Sequence, residues 1–217
     1  MEQKTIDEFL KDFYNTLVGE EQLKIVMLGA HGTGKSTLAN ALSEELDIPV
    51  VESIARIFNR STSYIKDTFP VNEHWKAELI NQEILCDASI WDFKRWKDVN
   101  AIFTRTPLDT LAYTMYGTPE WKNSKKYWDK LLQDKMNEVK NDETIMNMLH
   151  NSICIYIPIE FEIEADGLRP IGKQYQMDID ENMRKLIREF ELDPIVVTGS
   201  VEERKNTILG YLDENDF

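Results

Sequence analysis

Short apolar runs alternate along the chain with longer segments in which apolar residues recur every three or four positions. The short runs contain many β-branched residues, a composition typical of strands buried inside a parallel sheet. The pattern predicts five such strands, at residues 23–28, 49–52, 100–103, 152–157 and 194–197. Since strands and helices alternate, we expect a three-layer α/β fold in which helices cover one parallel sheet.

The segments with helical spacing predict an amphipathic helix before the first strand and further helices between the strands. The first of these is expected near residues 3–18, packed beside the main fold. Later helices are predicted at 35–46, from 53 to 60, near 73–96, at 180–191, and through Val201, Ile208 and Leu212. The apolar face predicted for the 73–96 helix carries Ala77, Ile80, Ile84, Ala88 and Trp91.

Two segments are expected to lie over the sheet. Residues 108–150 are rich in Trp, Tyr, Leu and Lys and break at 117–119, which predicts a cap of two or three helices. Residues 159–178 are expected to be irregular and to form a lid, because they contain the flexible, basic stretch GLRPIGK; an ordinary solvent-exposed loop is the alternative. We find no repeat or linker, so residues 1–217 are expected to form a single domain that includes an N-terminal helix in 1–20.

The strongest local motif lies where the first predicted strand ends. Residues 29–36 read GAHGTGKS and match GxxxxGK[ST], the P-loop pattern, between a predicted strand and a predicted helix. Glycines let such a loop wrap closely around phosphate oxygens, and the following helix offers its positive N-terminal end. The residues predicted to bind ATP are Gly29, His31, Gly32, Thr33, Gly34, Lys35, Ser36 and Thr37.

Within that motif, Lys35 is expected to bridge the β- and γ-phosphates and to be catalytic, and the Ser36 hydroxyl is expected to ligate Mg²⁺. A P-loop alone does not distinguish kinases from switches or motors. Guanine-specific GTPases usually carry an [NT]KxD element, which this sequence lacks, so ATP is favoured over GTP.

Charged residues follow the second and third predicted strands. Glu52 ends the second strand and Arg56 stands one turn further on, so both are expected to face the phosphate loop and to bind the acceptor. As a catalytic residue, Glu52 would accept a proton from an acceptor hydroxyl or orient that hydroxyl. The alternative for both is a solvated position at the start of a helix.

Arg105 follows the third strand, where its guanidinium is expected to hold phosphate as a catalytic and acceptor-binding group; a surface ion pair is the alternative. Asp109 either joins the Mg²⁺ shell or caps the next helix. Arg169 in the lid is expected to stabilise the charge of the transferring phosphoryl group. Residues 198–200 either contact the adenine or simply turn the chain.

Composition narrows the choice of partner. The net charge of −14, from 25 Lys and Arg against 39 Asp and Glu, argues against bulk binding of nucleic acid or of an anionic membrane surface. No run approaches the ~18 apolar residues that a membrane span requires, and the first twenty residues do not resemble a signal sequence, so we expect a cytoplasmic protein. Cys86 and Cys154 are expected to be reduced core thiols, and zinc is not expected.

The stretches GAHGTGKST, VVESIAR, FTRTPLDTLAY, GLRP and VVTGSVEER together resemble small P-loop kinases, typified by the nicotinamide riboside kinase domain of the bacterial NAD-biosynthesis regulator and related phage nucleotide kinases. The resemblance covers about residues 23–210. It implies a five-stranded parallel sheet in the order 2-3-1-4-5, a lid carrying arginines, and ATP-dependent phosphorylation of a nucleoside-like acceptor. Family members typically place a Mg²⁺-associated Asp where this chain has Thr104, so either Asp109 or Glu52 compensates or the metal site is altered.

The sequence therefore predicts an ATP- and Mg²⁺-dependent kinase of a small nucleoside or nucleoside monophosphate, with a modified deoxynucleotide among the candidates. A regulatory ATPase or switch without an acceptor, and a kinase of a modified base in DNA, are the alternatives. A homodimer is left open.

Overall fold

The computed structural model describes residues 22–52, 67–117, 124–160 and 172–215. Within these ranges, strands and helices alternate as the sequence predicts. In chain order they are β1 (Lys24–Leu28), α1 (Lys35–Leu46), β2 (Val50–Val51), α2 (His74–Lys94), β3 (Ala101–Phe103), α3 (Pro107–Tyr116), α4 (Lys125–Asn141), α5 (Glu143–His150), β4 (Ile153–Tyr156), α6 (Lys173–Glu189), β5 (Ile195–Val196) and α7 (Val201–Glu214).

The five strands form one parallel sheet in the order β2-β3-β1-β4-β5, which confirms the predicted topology. β1 lies at the centre, where Val26 pairs with Phe103 of β3 and with Cys154 of β4. The central strand is buried on both faces, which explains its uninterrupted apolar run.

Alternate residues of β1 point to opposite faces of the sheet and enter two separate cores. Val26 and Leu28 join the core that includes residues of α3, α5 and α6. Ile25 and Met27 join the core that includes residues of α1 and α7. Two helical layers therefore cover the sheet, as a three-layer fold requires.

The segment predicted as a cap contains three helices, α3, α4 and α5, within its described residues, which agrees with the predicted number of two or three; its role as a cap stays a prediction. Cys86 and Cys154 are buried and form no disulfide, also as predicted. None of the helices in the described ranges has the length and apolar character needed to cross a membrane.

Two helix predictions were wrong in detail. The face of α2 that is buried includes Ala77, Leu85 and Phe93, whereas Trp91 is 62% exposed. The helix α6 begins at Lys173, so residues 173–178 are helical rather than irregular. The buried face of that first turn carries a polar residue, Gln176. The spacing of apolar residues therefore does not reveal that the helix begins there.

Several sequence predictions lie outside the described residues. They are the N-terminal helix of 1–20, the helical start at 53–60 with Arg56, and the central part of the lid with Arg169.

Candidate active site

The phosphate loop, residues 29–36, connects the end of β1 to the start of α1. Gly29, Gly32 and Gly34 adopt positive φ angles of 134°, 75° and 92°. A side chain is strained in such a conformation, and a Cβ atom at Gly29 would lie only 2.4 Å from the carbonyl oxygen of Ile157. The glycines that identify the motif in the sequence are therefore required by the backbone.

Lys35 is the first residue of α1 and is 5% exposed. Its Nζ donates hydrogen bonds to the carbonyl oxygens of Gly29 at 2.7 Å and Ala30 at 2.5 Å. The Thr33 hydroxyl also donates to the Ala30 carbonyl, at 3.0 Å. The ammonium group thus lies within the loop and close to the positive end of a helix, an arrangement that attracts anions.

His31 is fully buried between the loop and two helices. Its Nδ1 is 3.0 Å from the Tyr113 hydroxyl of α3, and its ring centroid is 5.0 Å from that of Tyr175 in α6. Gln176 of α6 donates from Nε2 to the His31 carbonyl at 2.9 Å. The sequence predicts His31 only as a loop residue and gives no indication of these three partners, which lie far away along the chain.

Arg204 reaches the other side of the loop from the first turn of α7. Its side chain is 2% exposed, and Nη1 donates to the Thr33 carbonyl at 2.8 Å. Nη2 forms an ion pair with Glu160, which follows β4 and also accepts a hydrogen bond of 3.0 Å from the Gly199 N–H. Two hydrogen bonds lower the pKa of Glu160. The larger effect comes from the Gly199 N–H and the next from the Arg204 guanidinium.

Of the two alternatives for residues 198–200, the structure shows a turn held by hydrogen bonds. Gly199 donates to Glu160, and the Ser200 hydroxyl caps α7 by accepting from the Glu203 N–H. A contact of this segment with adenine stays a prediction.

At the end of β3, Arg105 turns back towards α3. Its Nη1 donates to the Asp109 carboxylate at 2.6 Å, and its Cζ is 5.8 Å from the centre of the Tyr113 ring. Burial acts to lower the pKa of the Arg105 guanidinium, but Tyr113 and Asp109 outweigh burial and the net pKa is raised. Arg105 therefore remains charged and is held beside the P-loop residue His31 through their common neighbour Tyr113.

Asp109 caps α3, which is one of the two roles that the sequence predicts for it. Its carboxylate accepts a hydrogen bond from the Thr106 N–H at 2.8 Å. The Thr106 hydroxyl in turn accepts one from the Leu108 N–H. The side chain is 3% exposed. A role of Asp109 in a metal shell stays a prediction.

Thr104 is buried, and its hydroxyl donates to the Val51 carbonyl at 3.2 Å. The contact ties the end of β3 to the end of β2, beside Glu52. Glu52 itself follows β2 directly and is exposed. Because the carboxyl ends of parallel strands meet at one edge, the sheet brings Glu52, Thr104, Arg105 and the phosphate loop to the same side.

The described residues at this edge contain no preformed metal cluster. Among the described residues, no group of three or more His, Cys, Asp or Glu side chains is arranged to hold a metal ion. Magnesium in phosphate-transferring sites is commonly held by one or two protein groups together with substrate phosphates and water. Ser36 lies in the first turn of α1 beside Lys35, and its role as such a group stays a prediction.

The AAA domain family model matches residues 24–204, which is most of the chain. The chain belongs to this family. No curated protein sequence matches this AAA domain chain.

Solved structures share the fold of this AAA domain chain. A deoxyadenosine kinase from M. mycoides with bound dATP superposes with a TM-score of 0.66 at 19% identity, covering 88% of this chain and 100% of that one. The NadR protein in complex with NR gives 0.58 at 16% identity, covering 91% and 52%. A thymidylate kinase from Candida albicans gives 0.53 at 11%, covering 90% and 93%. NadR contains the nicotinamide riboside kinase domain that typifies the family predicted from the sequence. The predicted resemblance to small P-loop kinases of this type is confirmed in the fold.

Proposed function

We propose that this protein transfers the γ-phosphoryl group of ATP to a small nucleoside or nucleoside monophosphate, with modified deoxynucleotides among the candidate acceptors. The observation that carries the proposal is the placement of two buried or half-buried cations at the ends of neighbouring strands. Lys35 lies in the loop after β1, and Arg105 follows β3. Such a pair can neutralise charge on a phosphoryl group that passes between donor and acceptor.

In this proposal, Lys35 leaves the loop carbonyls that it now contacts and binds the β- and γ-phosphates. The backbone N–H groups of the loop bind the remaining phosphate oxygens, and the Ser36 hydroxyl ligates Mg²⁺. The magnesium ion supplies charge neutralisation at the phosphates when it is bound. Thr37, one residue further along α1, completes the loop's contacts with the nucleotide.

The acceptor would lie on the β2 and β3 side of the loop, between Glu52 and Arg105. An acceptor hydroxyl needs a carboxylate to orient it or take its proton, a role that suits Glu52. An acceptor phosphate instead needs cations, which Arg105 and Arg56 would provide. Arg169 of the lid would add positive charge over the transferring group.

The similar proteins favour a nucleoside-type acceptor. By their names, two of them are kinases of deoxyadenosine and thymidylate, and NadR was solved with NR. Since these similarities establish the fold alone, the identity of the acceptor rests on direct assay.

The test incubates the protein with Mg²⁺, ATP or GTP, and a panel of nucleosides and nucleoside monophosphates, and follows phosphorylated products by mass spectrometry. We expect product with at least one acceptor and with ATP preferred as donor. Lys35→Ala should lower the rate at least about a hundredfold, because it removes a charge that stabilises the transition state. Lys125→Ala, which removes an exposed lysine paired with Asp129 on α4, is the matched control. Absence of product with every acceptor, or wild-type turnover by Lys35→Ala, would contradict the proposal.

Thr104 supports the second candidate, a regulatory ATPase or switch without an acceptor. Its hydroxyl is uncharged and bonds to the Val51 carbonyl, where kinases of this type typically carry an Asp near Mg²⁺. The same assay separates the two functions, because a switch would bind or slowly hydrolyse ATP and phosphorylate none of the panel.

A further inference from the structure

Two carbonyl groups of the phosphate loop are held by side chains from distant helices. Gln176 of α6 donates to the His31 carbonyl, and Arg204 of α7 donates to the Thr33 carbonyl. These residues are 145 and 171 positions away from their partners in the sequence. Both donors are almost completely buried, 1% and 2% exposed, so water does not compete for these contacts.

Each contact also orients the next N–H group of the loop. The C=O and N–H of a trans peptide point in opposite directions, and the described residues contain no cis peptide bond. The bond from Gln176 to the His31 carbonyl therefore turns the Gly32 N–H away from Gln176. In the same way, the bond from Arg204 to the Thr33 carbonyl turns the Gly34 N–H away from Arg204.

The two oriented N–H groups belong to glycines with positive φ, and loops of this kind form concave nests that bind anions. Fixing those groups before the ligand arrives removes part of the ordering cost of binding. Gln176 and Arg204 thus act on opposite sides of one loop. Each orients one backbone N–H group that can donate a hydrogen bond to phosphate.

Stability alone does not account for a buried arginine at this position. A cation in the first turn of a helix is opposed by the helix dipole, and burial of its charge is costly unless a partner neutralises it. Glu160 provides that partner and is itself fixed by the Gly199 N–H. Glu160 itself is partly exposed, and an ion pair with an exposed partner contributes little to stability, so the bond to the loop is the more informative contact.

We propose that Gln176 and Arg204 are positioning residues that hold the phosphate loop ready to bind the triphosphate of ATP. This inference rests on the proposed function, since it takes a nucleoside triphosphate as the ligand of the loop. Neither residue touches the reacting atoms. Both act through the N–H groups of Gly32 and Gly34.

The test measures ATP affinity in the presence of Mg²⁺ by titration calorimetry for wild type, Gln176→Met and Arg204→Met. Methionine fills much of the space of either side chain but donates no hydrogen bond. Each variant should bind ATP roughly tenfold or more weakly, the value of one charge-assisted hydrogen bond to phosphate. Inorganic tripolyphosphate, which has no base or ribose, should lose affinity by a similar factor.

Kinetics separate positioning from a general defect. The KM for ATP should rise, whereas kcat at saturating ATP and the KM for the acceptor should stay near wild type. Arg204→Lys should recover part of the lost affinity, because a lysine can still donate to the Thr33 carbonyl. The matched controls are Gln174→Met and Lys205→Met, whose side chains bond to Asp178 and Glu202 rather than to the loop. Both controls should bind ATP as wild type does.

The outcomes distinguish this inference from the proposed function. A folded variant with wild-type affinity for ATP and tripolyphosphate overturns the role of the residue that was changed. Equal losses for ATP and acceptor would also overturn it, since they indicate general damage. Should Arg204→Met fail to fold, Arg204→Lys tests Arg204 in its place, and wild-type affinity in that variant together with wild-type affinity in Gln176→Met overturns the inference. If the wild-type protein itself binds no ATP, the proposed function fails and this inference fails with it.

Discussion

Two carboxylates at the edge of the sheet beside the phosphate loop differ in how far they are exposed to solvent. Asp109 is 3% exposed and accepts hydrogen bonds from Arg105 and Thr106, so moving it would break both the ion pair and the cap of α3. Glu52 is exposed at the end of β2. A proton acceptor must reach its substrate, and Glu52 is therefore the better candidate of the two.

The Glu52→Gln variant should reveal the class of acceptor. If the acceptor is a hydroxyl, kcat should fall roughly a hundredfold with ATP binding retained, because an amide preserves the shape but cannot take the proton. If the acceptor is a phosphate, the change should raise the acceptor KM and leave kcat nearly unaltered. Steady-state kinetics with the acceptor found in the panel measure both values.

Glu44→Gln, an exposed position on the outer surface of α1, is the control for the loss of a negative charge. Wild-type kcat and KM in Glu52→Gln would show that Glu52 is only a solvated carboxylate at the end of a strand.

Residues of the site were predictable from the sequence where a local motif carries the chemistry. The phosphate loop is contiguous, so its glycines, Lys35 and Ser36 are recognisable without a structure. Gln176 and Arg204 contact the loop only in the folded chain, and neither residue is part of the GxxxxGK[ST] motif. The sequence offered two indications for Arg204: it ends the stretch VVTGSVEER, which contributes to the family resemblance, and it stands in the first turn of a helix, where the dipole disfavours an arginine.

At the scale of elements, the strands were predicted well and the buried faces of helices less well. The helix α2 packs against α3, α4 and α5, so apolar residues occur around much of its circumference and no single stripe dominates. Trp91 belongs to the predicted stripe but lies exposed, with the Arg95 guanidinium 5.2 Å from its ring centre. Helical spacing identified the helix without identifying its neighbours.

The ends of β4, β5 and the phosphate loop are joined through Glu160, and this connection should depend on pH. Its hydrogen bonds lower the pKa of Glu160 below the ordinary value of 4.5. The stabilisation is therefore fully present above the unfolded pKa and is lost as the pH falls through the lower folded pKa. Denaturant unfolding of wild type and Glu160→Gln should show a stability gap that is constant near neutral pH and narrows below about pH 4.5. A gap that stays the same from pH 3 to pH 7 would contradict the connection.

At the scale of the whole molecule, the parallel sheet was the most predictable feature. Its strands are apolar throughout because helices cover both faces, and the order 2-3-1-4-5 followed from the family resemblance rather than from any single strand. The packing of the helices α3 and α6 over that sheet could not be predicted in the same way. It depends on side chains that meet across long sequence separations, such as Asn182 and the Ala112 carbonyl, which are 70 residues apart.

The net charge of the whole molecule bears on the class of acceptor. A chain with a charge of −14 repels a polyanion, so a duplex containing a modified base should be a poor acceptor compared with the same base as a free nucleoside or monophosphate. We expect fluorescence anisotropy to detect no binding of a labelled duplex at roughly 0.15 M salt, where the screening length is only about 8 Å. Transfer of labelled γ-phosphate should favour the free nucleoside or monophosphate at every salt concentration. Efficient transfer into the duplex that weakens as salt rises would instead indicate a local basic surface and would favour a kinase that acts on DNA.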